Sequence, residues 1–283
     1  MEGVPDKIGP NYGSPPWIFK GRALYQFHLV KADTARSYIP KEFRLVEAFG
    51  YTLGGFFLAN YDESPVGVFD ELVVIAGIVW NPPTSCAWAA RVLVNSEEAC
   101  SHGRKVVGLP SQVAIFSKAV TAVENHRKGK VDGFLNIIGL GTNVSSKENQ
   151  LNIGVAEVRD SLVTDTCDVN LTTDTTSLKN GKWLGLPITM SLPSFSGRTK
   201  YNPNLLKYAC QIQCRVRAVK PVAVTILANS NTVEADTEED SGMEHSVRKE
   251  SVSSIILSRP ILALEFSCLK MEVEEPVVVS HKK

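Results

Sequence analysis

The 283-residue sequence has no excess of charge of either sign and no long apolar run. Its 30 basic residues are balanced by 30 acidic residues, without a basic cluster. This balance argues against nucleic acid or an anionic membrane surface as the main partner. No apolar stretch reaches the length that spans a bilayer, so no transmembrane segment is expected. The hydrophobic content of 43% is sufficient for a sizeable core in one large domain or two small ones.

Cysteine and histidine are too few and too scattered to predict a metal site. The six cysteines contain no C-x-x-C pair and have no histidine at zinc-site spacing. The segment Gly139–Gly141 lacks the third glycine and the following helix of a dinucleotide fingerprint. We therefore expect neither a metal nor a cofactor. Cys210 and Cys214 lie on a run of strict period two, which predicts free thiols facing a core.

Three segments stand apart from the rest in composition. Residues 1–22 contain four prolines and no apolar h-region, which predicts an extended arm without a secretory signal or an ordinary transit peptide. The cytosol is therefore the expected location, and a plastid is the alternative. Residues 231–250 carry seven acids and predict a mobile surface loop, with a docking segment for a basic partner as the less favoured alternative. Residues 276–283 are expected to form a tail.

Short runs of β pattern separated by turn residues dominate the chain. Residues 71–80 are apolar at successive positions, which predicts a strand buried on both faces. Asp33 and Ser96 are expected to cap short helices. The pattern predicts a mainly β (α+β) fold, a single domain over residues 23–275 built as a closed antiparallel β-barrel with a few short helices. The predicted strands cover residues 23–30, 53–61, 71–80, 85–94, 113–116, 133–139, 151–158, 208–228 and 253–273.

The segment Gly103–Gln112, GRKVVGLPSQ, resembles the Gly-Arg-x-x-x-Gly-x-Pro-Lys-Lys turn of the acetoacetate decarboxylase superfamily. In that superfamily the first lysine forms a Schiff base with a β-keto acid. Here Ser111 and Gln112 occupy the two lysine positions, and neither a hydroxyl nor an amide forms an iminium. The resemblance therefore implies the barrel fold and argues against decarboxylation by this chain.

Further motifs extend this resemblance over residues 20–270. Phe69-Asp70-Glu71 is similar to an aromatic-x-Glu motif that opens a barrel strand, and residues 33–40 resemble a short helix that ends in proline. Within the superfamily, the segments 14–21 and 80–88 resemble the plant neoxanthin-deficiency protein family. That resemblance implies a requirement in neoxanthin formation from violaxanthin, and so in abscisic acid biosynthesis.

Four residues are candidates for a ligand site: Glu71, Arg104, Ser111 and Gln112. Glu71 begins an apolar strand, so burial is expected to raise its pKa, and it is also the candidate for a catalytic acid or base. Arg104 offers a fixed cation to an acidic ligand or bonds the carbonyls of its own turn. Ser111 and Gln112 are expected to donate hydrogen bonds together. His102 lies nine residues before Ser111, as a base and nucleophile pair could, but no G-x-S-x-G elbow surrounds the serine, which argues against a serine hydrolase.

Two classes of function remain open from the sequence. The first is an accessory barrel that binds an apolar, oxygenated isoprenoid such as a xanthophyll without converting it. The second is an enzyme that uses Glu71 as acid or base, either a carotenoid isomerase or a lyase or hydrolase of a small keto acid. A carotenoid is roughly 30 Å long, as long as the hydrocarbon of a bilayer is thick. A closed barrel is therefore expected to hold only one of its end groups.

Overall fold

The computed structural model describes residues 12–124, 147–158, 168–174, 186–227 and 252–279. In these ranges the helices are short: α1 (Ala32–Arg36), α2 (Glu97–His102), a π-helical turn (Gly103–Val107) and α3 (252–256). The strands are β1 (Trp17–Lys31), β2 (Glu47–Ala48), β3 (Tyr51–Glu63), β4 (Phe69–Asn81), β5 (Thr84–Val94), β6 (Ser111–Glu124), β7 (Lys147–Glu157), β8 (Asp168–Asp174), β9 (Ile188–Gly197), β10 (Leu205–Val219), β11 (Ala223–Leu227), β12 (Arg259–Val273) and β13 (Val277–Val278).

Seven strands close into a barrel in the order β5, β4, β3, β1, β12, β10, β9 and back to β5. The first six contacts in this circuit are antiparallel, as predicted. The closing contact is parallel and pairs Ala87 with Ser194 and Trp88 with Phe195. The predicted mainly β barrel with few helices is thus confirmed, with the correction that its closure is not antiparallel.

Strand β4 is buried on both faces because a different core lies against each of them. Val73 and Ile75 point into the barrel, whereas Leu72 and Val74 point outward. The outward residues pack in a second core with α1, α3 and a further sheet made of β6, β7, β8 and β11. That sheet branches from the barrel where β6 runs parallel to the end of β5. The alternation explains why residues 71–80 lack a polar face.

Several expected boundaries need correction. Strand β1 begins at Trp17, so the last residues of the expected arm belong to the barrel wall. The expected strand 208–228 is interrupted before Pro221, which has no N–H for a ladder bond. Residues 252–256 are helical, because the turn buries Ile255 and Ile256 together in the outer core. In the expected tail, Val277–Val278 pairs with β10.

Four strands were not predicted: the two-residue strands β2 and β13, and the longer strands β8 and β9. Strand β9 contains Pro193 and three serines, which weaken the β pattern. Ser96 caps α2 as expected, since its hydroxyl accepts a bond from the Ala99 N–H at 3.2 Å. Asp33 instead lies inside the first turn of α1, whose N-cap is Lys31. The expected strand 133–139 and the acidic segment 231–250 lie outside the described residues. No described helix is long and apolar enough to cross a bilayer.

Candidate functional site

The barrel encloses a cavity of about 340 Å³ whose wall is almost entirely apolar and aromatic. At the end of the barrel where β4 begins, the side chains of Tyr12, Trp17 and His102 are buried and close the cavity. We call this the closed end. At the other end the lining residues Phe27, Ile78 and Leu264 keep part of their surface accessible, and we call it the open end.

Glu71 lies on the wall of this cavity near the closed end. The hydroxyl of Tyr61, which is buried on the neighbouring strand β3, donates a hydrogen bond of 2.8 Å to its Oε2 atom. Burial in an apolar surrounding raises the pKa of Glu71 from 4.5 to about 7, and the bond from Tyr61 opposes this only in part. The carboxyl is therefore divided between its neutral and charged forms at neutral pH.

The other polar groups near Glu71 are neutral. Burial and the nearby Glu71 carboxylate raise the pKa of Tyr12 above its ordinary value. Burial, followed by the charges of Cys210 and Glu71, likewise raises the pKa of Tyr208. Burial raises the pKa of the Cys210 thiol to about 12. Cys210 lines the cavity and Cys214 is buried, both as free thiols, which confirms the period-two prediction.

His102 is a buried ring at the closed end with two unsatisfied nitrogens. It stacks on Tyr12 with ring centroids 3.6 Å apart and meets Trp17 edge-on at 4.5 Å. No residue in the described part of the chain forms a hydrogen bond with its Nδ1 or Nε2 atom. Burial lowers the pKa of His102 to about 4, so the ring is neutral. Buried polar atoms without partners are rare in folded proteins and here line a cavity, which marks them as contacts for a ligand or a water.

Ser111 also lines the cavity and is buried, at the position of the lysine in the resembling motif. It packs closely against Gly103, where an added Cβ would lie 2.6 Å from the serine Oγ atom. Ser111 is separated from Glu71 by strand β5, since Glu71 pairs with Val94 and Ser111 pairs with Val92. His102 borders the same cavity, but its unpartnered nitrogens show that it makes no bond to the serine.

Arg104 and Gln112 do not line this cavity, and the contacts of Arg104 match the second of its two expected roles, which is to bond its own turn. Arg104 donates from Nε to the carbonyl of Ser111 at 2.7 Å and from Nη2 to Oε1 of Gln112 at 2.8 Å. Its guanidinium also lies over the Tyr201 ring, 4.5 Å from the centroid. Consecutive strand residues point to opposite faces, so Gln112 faces outward when Ser111 faces inward. Arg104 therefore holds the turn together.

The described residues that line the cavity include neither lysine nor arginine. Lys118, a conceivable substitute for the missing amine, instead forms an ion pair of 2.6 Å with Asp70. The wall thus offers hydrogen bonds from neutral groups and one carboxyl whose proton is exchangeable near neutral pH. This arrangement suits an apolar molecule with hydroxyl, epoxide or carbonyl oxygens, and it provides no primary amine for a Schiff base.

Two members of the site, Tyr61 and His102, were not predicted as ligand contacts. Tyr61 lies on an alternating strand whose inward face was visible in the sequence, but its pairing with Glu71 depends on the register of β3 and β4. His102 reaches the cavity because the π-helical turn follows α2 directly and continues to Ser111. No short-range sequence pattern predicts that His102 contacts the cavity. For Tyr61, the sequence did contain a signal: the alternation of its strand places it on the inward face, next to the strand that carries Glu71.

Comparison with known proteins gives consistent results. The chain is 59% identical over 279 residues to the protein NEOXANTHIN-DEFICIENT 1 of Arabidopsis thaliana, covering 98% of each chain. It is 57% identical over 282 residues to the Solanum lycopersicum protein of the same name, covering 95% of this chain and 94% of that protein. The crystal structure of acetoacetate decarboxylase from Legionella pneumophila has a similar fold, with a TM-score of 0.56, 12% identity, and coverage of 99% of this chain and 92% of that one. No protein-family model matches the chain.

Proposed function

Since this chain belongs to the NEOXANTHIN-DEFICIENT 1 family of plant proteins, we propose that it acts in neoxanthin biosynthesis, and through neoxanthin in abscisic acid biosynthesis. In this proposal it binds one oxygenated end group of a xanthophyll without converting it. The observation that carries the proposal is the apolar, amine-free barrel cavity with Glu71 and Tyr61 at its closed end.

The size of the cavity supports binding of an end group. About 340 Å³ is near the lower limit of the roughly 300–1,000 Å³ typical of small-molecule sites. A substituted cyclohexane ring suits this volume, whereas a whole xanthophyll of roughly 30 Å does not. The ring enters through the open end, and the polyene remains outside the barrel.

The polar groups at the closed end match the oxygens of such a ring. A neutral Glu71 carboxyl and the ring N–H of His102 each donate a hydrogen bond, while the second imidazole nitrogen accepts one. An epoxide oxygen only accepts, and a ring hydroxyl both donates and accepts. Binding of this kind gives His102 the partners that it lacks and needs no fixed charge.

A binding role is favoured over catalysis because the wall offers one group that titrates near neutral pH. Opening an epoxide to an isomeric alcohol requires a proton to be delivered to oxygen and another to be removed from carbon. Glu71, with its pKa of about 7, suits one of these transfers. His102, with a pKa of about 4, and Cys210, with a pKa of about 12, do not suit the other.

The second candidate function is an isomerase in which Glu71 performs both transfers in turn. The raised pKa of Glu71 is the observation that favours it, because general acids and bases work best when their pKa lies near the working pH. The Glu71→Gln variant separates the two functions. In plant lines that carry it in place of the native protein, normal neoxanthin and abscisic acid exclude catalysis by Glu71. Loss of neoxanthin with a folded, ligand-binding variant excludes the binding role.

The binding proposal is tested by calorimetric titration with epoxy-β-ionone, an end group without the long polyene. Ala87 lines the cavity, so Ala87→Phe fills the space that the ring requires and is expected to abolish binding. Thr189 is exposed on β9, so Thr189→Phe adds the same ring outside and leaves binding unchanged. Equal binding by the two variants, with both folded, would contradict the proposed site.

A further inference from the structure

The open end of the barrel carries large apolar side chains in contact with solvent. Leu53, Trp80 and Leu262, on β3, β4 and β12, are 38%, 43% and 41% exposed. Trp80 and Leu262 each lie two residues from a cavity-lining residue of the same strand, so the cavity wall continues into them. Together with Phe49 and Tyr51 of the neighbouring hairpin, they form what we call the apolar rim.

Phe49 is the most unusual member of the apolar rim. It lies between β2 and β3 in a two-residue turn with Gly50, fully exposed and with a positive φ of 53°. Such turns favour asparagine, aspartate or glycine because a bulky residue is strained in this region. A phenylalanine at this position gains no burial and costs backbone strain. Its presence at the tip of a hairpin beside the cavity mouth is therefore best explained by a binding partner that buries the ring.

Three exposed cations surround the apolar rim. Lys31 pairs directly with Tyr51. The N–H of Trp80 donates to the carbonyl of Arg44 at 2.8 Å, which places these two residues opposite each other. Arg259 begins β12 and pairs with β1 at the same end. Residues opposite each other on paired strands point to the same face, so Lys31 and Arg44 face the same way as Tyr51 and Trp80.

Acidic residues also lie near these cations in the sequence. Glu47 is bonded by Arg36 at 2.9 Å, and it pairs with Thr52, whose side chain faces away from the rim. Asp33 lies on helix α1. Among the described residues, none of the three cations forms an ion pair. The open end therefore combines aromatic and aliphatic tips with three exposed cations that no described carboxylate pairs.

We infer that the open end docks onto an anionic lipid bilayer, with the Phe49 hairpin and Trp80 in the interfacial layer. This inference rests on the proposed function and extends it. A xanthophyll whose ring enters the cavity leaves a polyene as long as the bilayer hydrocarbon is thick, and only an apolar medium accommodates it. Aromatic residues at an interface and lysine or arginine near anionic headgroups are the side chains that hold a protein at a membrane surface.

Flotation with vesicles free of carotenoid tests the docking. The native protein is expected to float with vesicles of phosphatidylcholine and phosphatidylglycerol. Phe49→Asn is expected to lower the partition coefficient about tenfold, the factor that corresponds to about 1.4 kcal/mol. Asparagine tolerates the positive φ, so the same variant keeps or raises the melting temperature. Val68→Asn is the matched control, since Val68 is 71% exposed in the turn at the opposite end of β4.

Charge removal tests the lipid specificity. Lys31→Gln and Arg44→Gln are each expected to weaken flotation about fivefold, which corresponds to about 1 kcal/mol per cation near an anionic surface. Lys200→Gln, on the exposed turn between β9 and β10, is expected to have no effect. Binding to vesicles of pure phosphatidylcholine is expected to be weak and to be unaffected by these changes.

The alternative occupants of the rim give different results. Absence of vesicle binding, or equal loss in Phe49→Asn and Val68→Asn, overturns the docking. A dimer in sedimentation velocity that Phe49→Asn dissolves, without vesicle binding, assigns the rim to a second copy of the chain instead. Titration with epoxy-β-ionone is independent of vesicles, so failure of the docking and failure of the proposed end-group site are distinguishable.

Discussion

The two ends of the barrel place their side chains in opposite ways. At the closed end the buried side chains of Tyr12, Tyr61 and His102 and the partly buried carboxyl of Glu71 lie in an apolar wall. At the open end phenylalanine, tryptophan and leucine are exposed beside lysine and arginine. At the closed end, desolvation of polar groups costs free energy. At the open end, apolar groups remain in contact with water. Both arrangements reduce the stability of the isolated protein.

The comparison shows where the molecule departs from what folding alone favours. Along most of the barrel wall, polar residues face out and apolar residues pack in two cores. Departures from that rule concentrate at sites that serve a ligand or a partner. We therefore expect substitutions that relieve such groups to stabilise the protein, and those that also remove a hydrogen-bonding contact to weaken binding.

The largest expected effect is that of Glu71→Gln on the pH dependence of stability. Because the folded state holds the Glu71 proton more tightly than the unfolded chain, this stabilisation is complete below about pH 4.5 and is lost as the pH rises to about 7. At pH 8 the variant is expected to be more stable by about 3 kcal/mol, and the difference disappears below pH 4.5. Urea denaturation at a series of pH values measures it.

Glu63→Gln is the matched control for this prediction. Glu63 forms an exposed pair of 2.6 Å with Lys20 at the same end of β3, and exposed pairs contribute little. Its removal is expected to change stability by less than about 0.5 kcal/mol at all pH values. If the two glutamine variants behaved alike, the carboxyl of Glu71 would not be the costly group of the closed end.

Two buried histidines offer a paired test of unsatisfied groups. His28 accepts from the Gln26 amide at 3.0 Å and contacts the carbonyl of Ile255 at 3.2 Å, whereas His102 has no partner. His28→Phe is expected to destabilise the fold by about 1–3 kcal/mol, because it leaves buried partners unpaired. His102→Phe keeps the stacking on Tyr12, and we expect it to stabilise by about 1 kcal/mol while weakening epoxy-β-ionone binding.

The gain from His102→Phe grows as the pH falls. The pKa of His102 is lowered to about 4, so the folded state resists protonation and loses stability between about pH 6.5 and 4. This slope is opposite to that of Glu71 over part of the same range. Calorimetric melting at pH 5 and pH 8 separates the two. A destabilised His102→Phe with tighter ligand binding would refute a ligand-binding role for this ring.

Arg104→Lys tests the assignment of Arg104 to the turn. Lysine loses the paired bonds to the carbonyl of Ser111 and to Gln112, and the stacking on Tyr201. We expect a loss of about 1–2 kcal/mol in stability and no change in the dissociation constant for epoxy-β-ionone. A large rise in that constant without a loss of stability would return Arg104 to the ligand site.

The last prediction is the absence of an effect: borohydride reduction in the presence of acetoacetate is expected to leave the protein unmodified. No lysine lines the cavity, so no trapped adduct and no decarboxylation are expected. Intact mass measurement checks this, and Ser111→Lys provides the positive control by returning an amine to the wall. A stoichiometric adduct on Lys105 or Lys118 in the native chain would show that a reactive amine lies outside the described wall.

Much of the barrel was predictable because the local pattern of apolar and polar residues shows which face of a strand is buried. The continuous apolar run at residues 71–80 predicts a strand buried on both faces. The alternation around Cys210 and Cys214 predicts that both side chains face the core. Strand β9 was missed because Pro193 and its serines obscure a pattern that only tertiary pairing completes. Residues 252–256 read as strand because a short apolar run fits either a strand or a buried helical turn.

The site was predicted in part, for reasons of the same kind. Glu71 and Ser111 were named from a motif and both reach the cavity. Gln112 is next to Ser111 in the sequence, but consecutive strand residues point to opposite faces, so the two side chains do not share the cavity. The sequence balance of charge also gave no sign of the cations at the open end. The fold brings Lys31, Arg44 and Arg259 to one end of the barrel, because β1 and β4 end there and β12 begins there.

The closing contact between β5 and β9 has a mechanical consequence for the barrel. It joins two residue pairs, whereas β1 and β3 are joined along their whole length. A wall of hydrogen-bonded strands is only as stiff as its shortest ladder, so widening of the lumen begins at Ala87 and Trp88. Amide hydrogens along this seam should exchange earliest among the barrel strands. A seam that opens first would let the barrel admit a ring wider than its resting lumen.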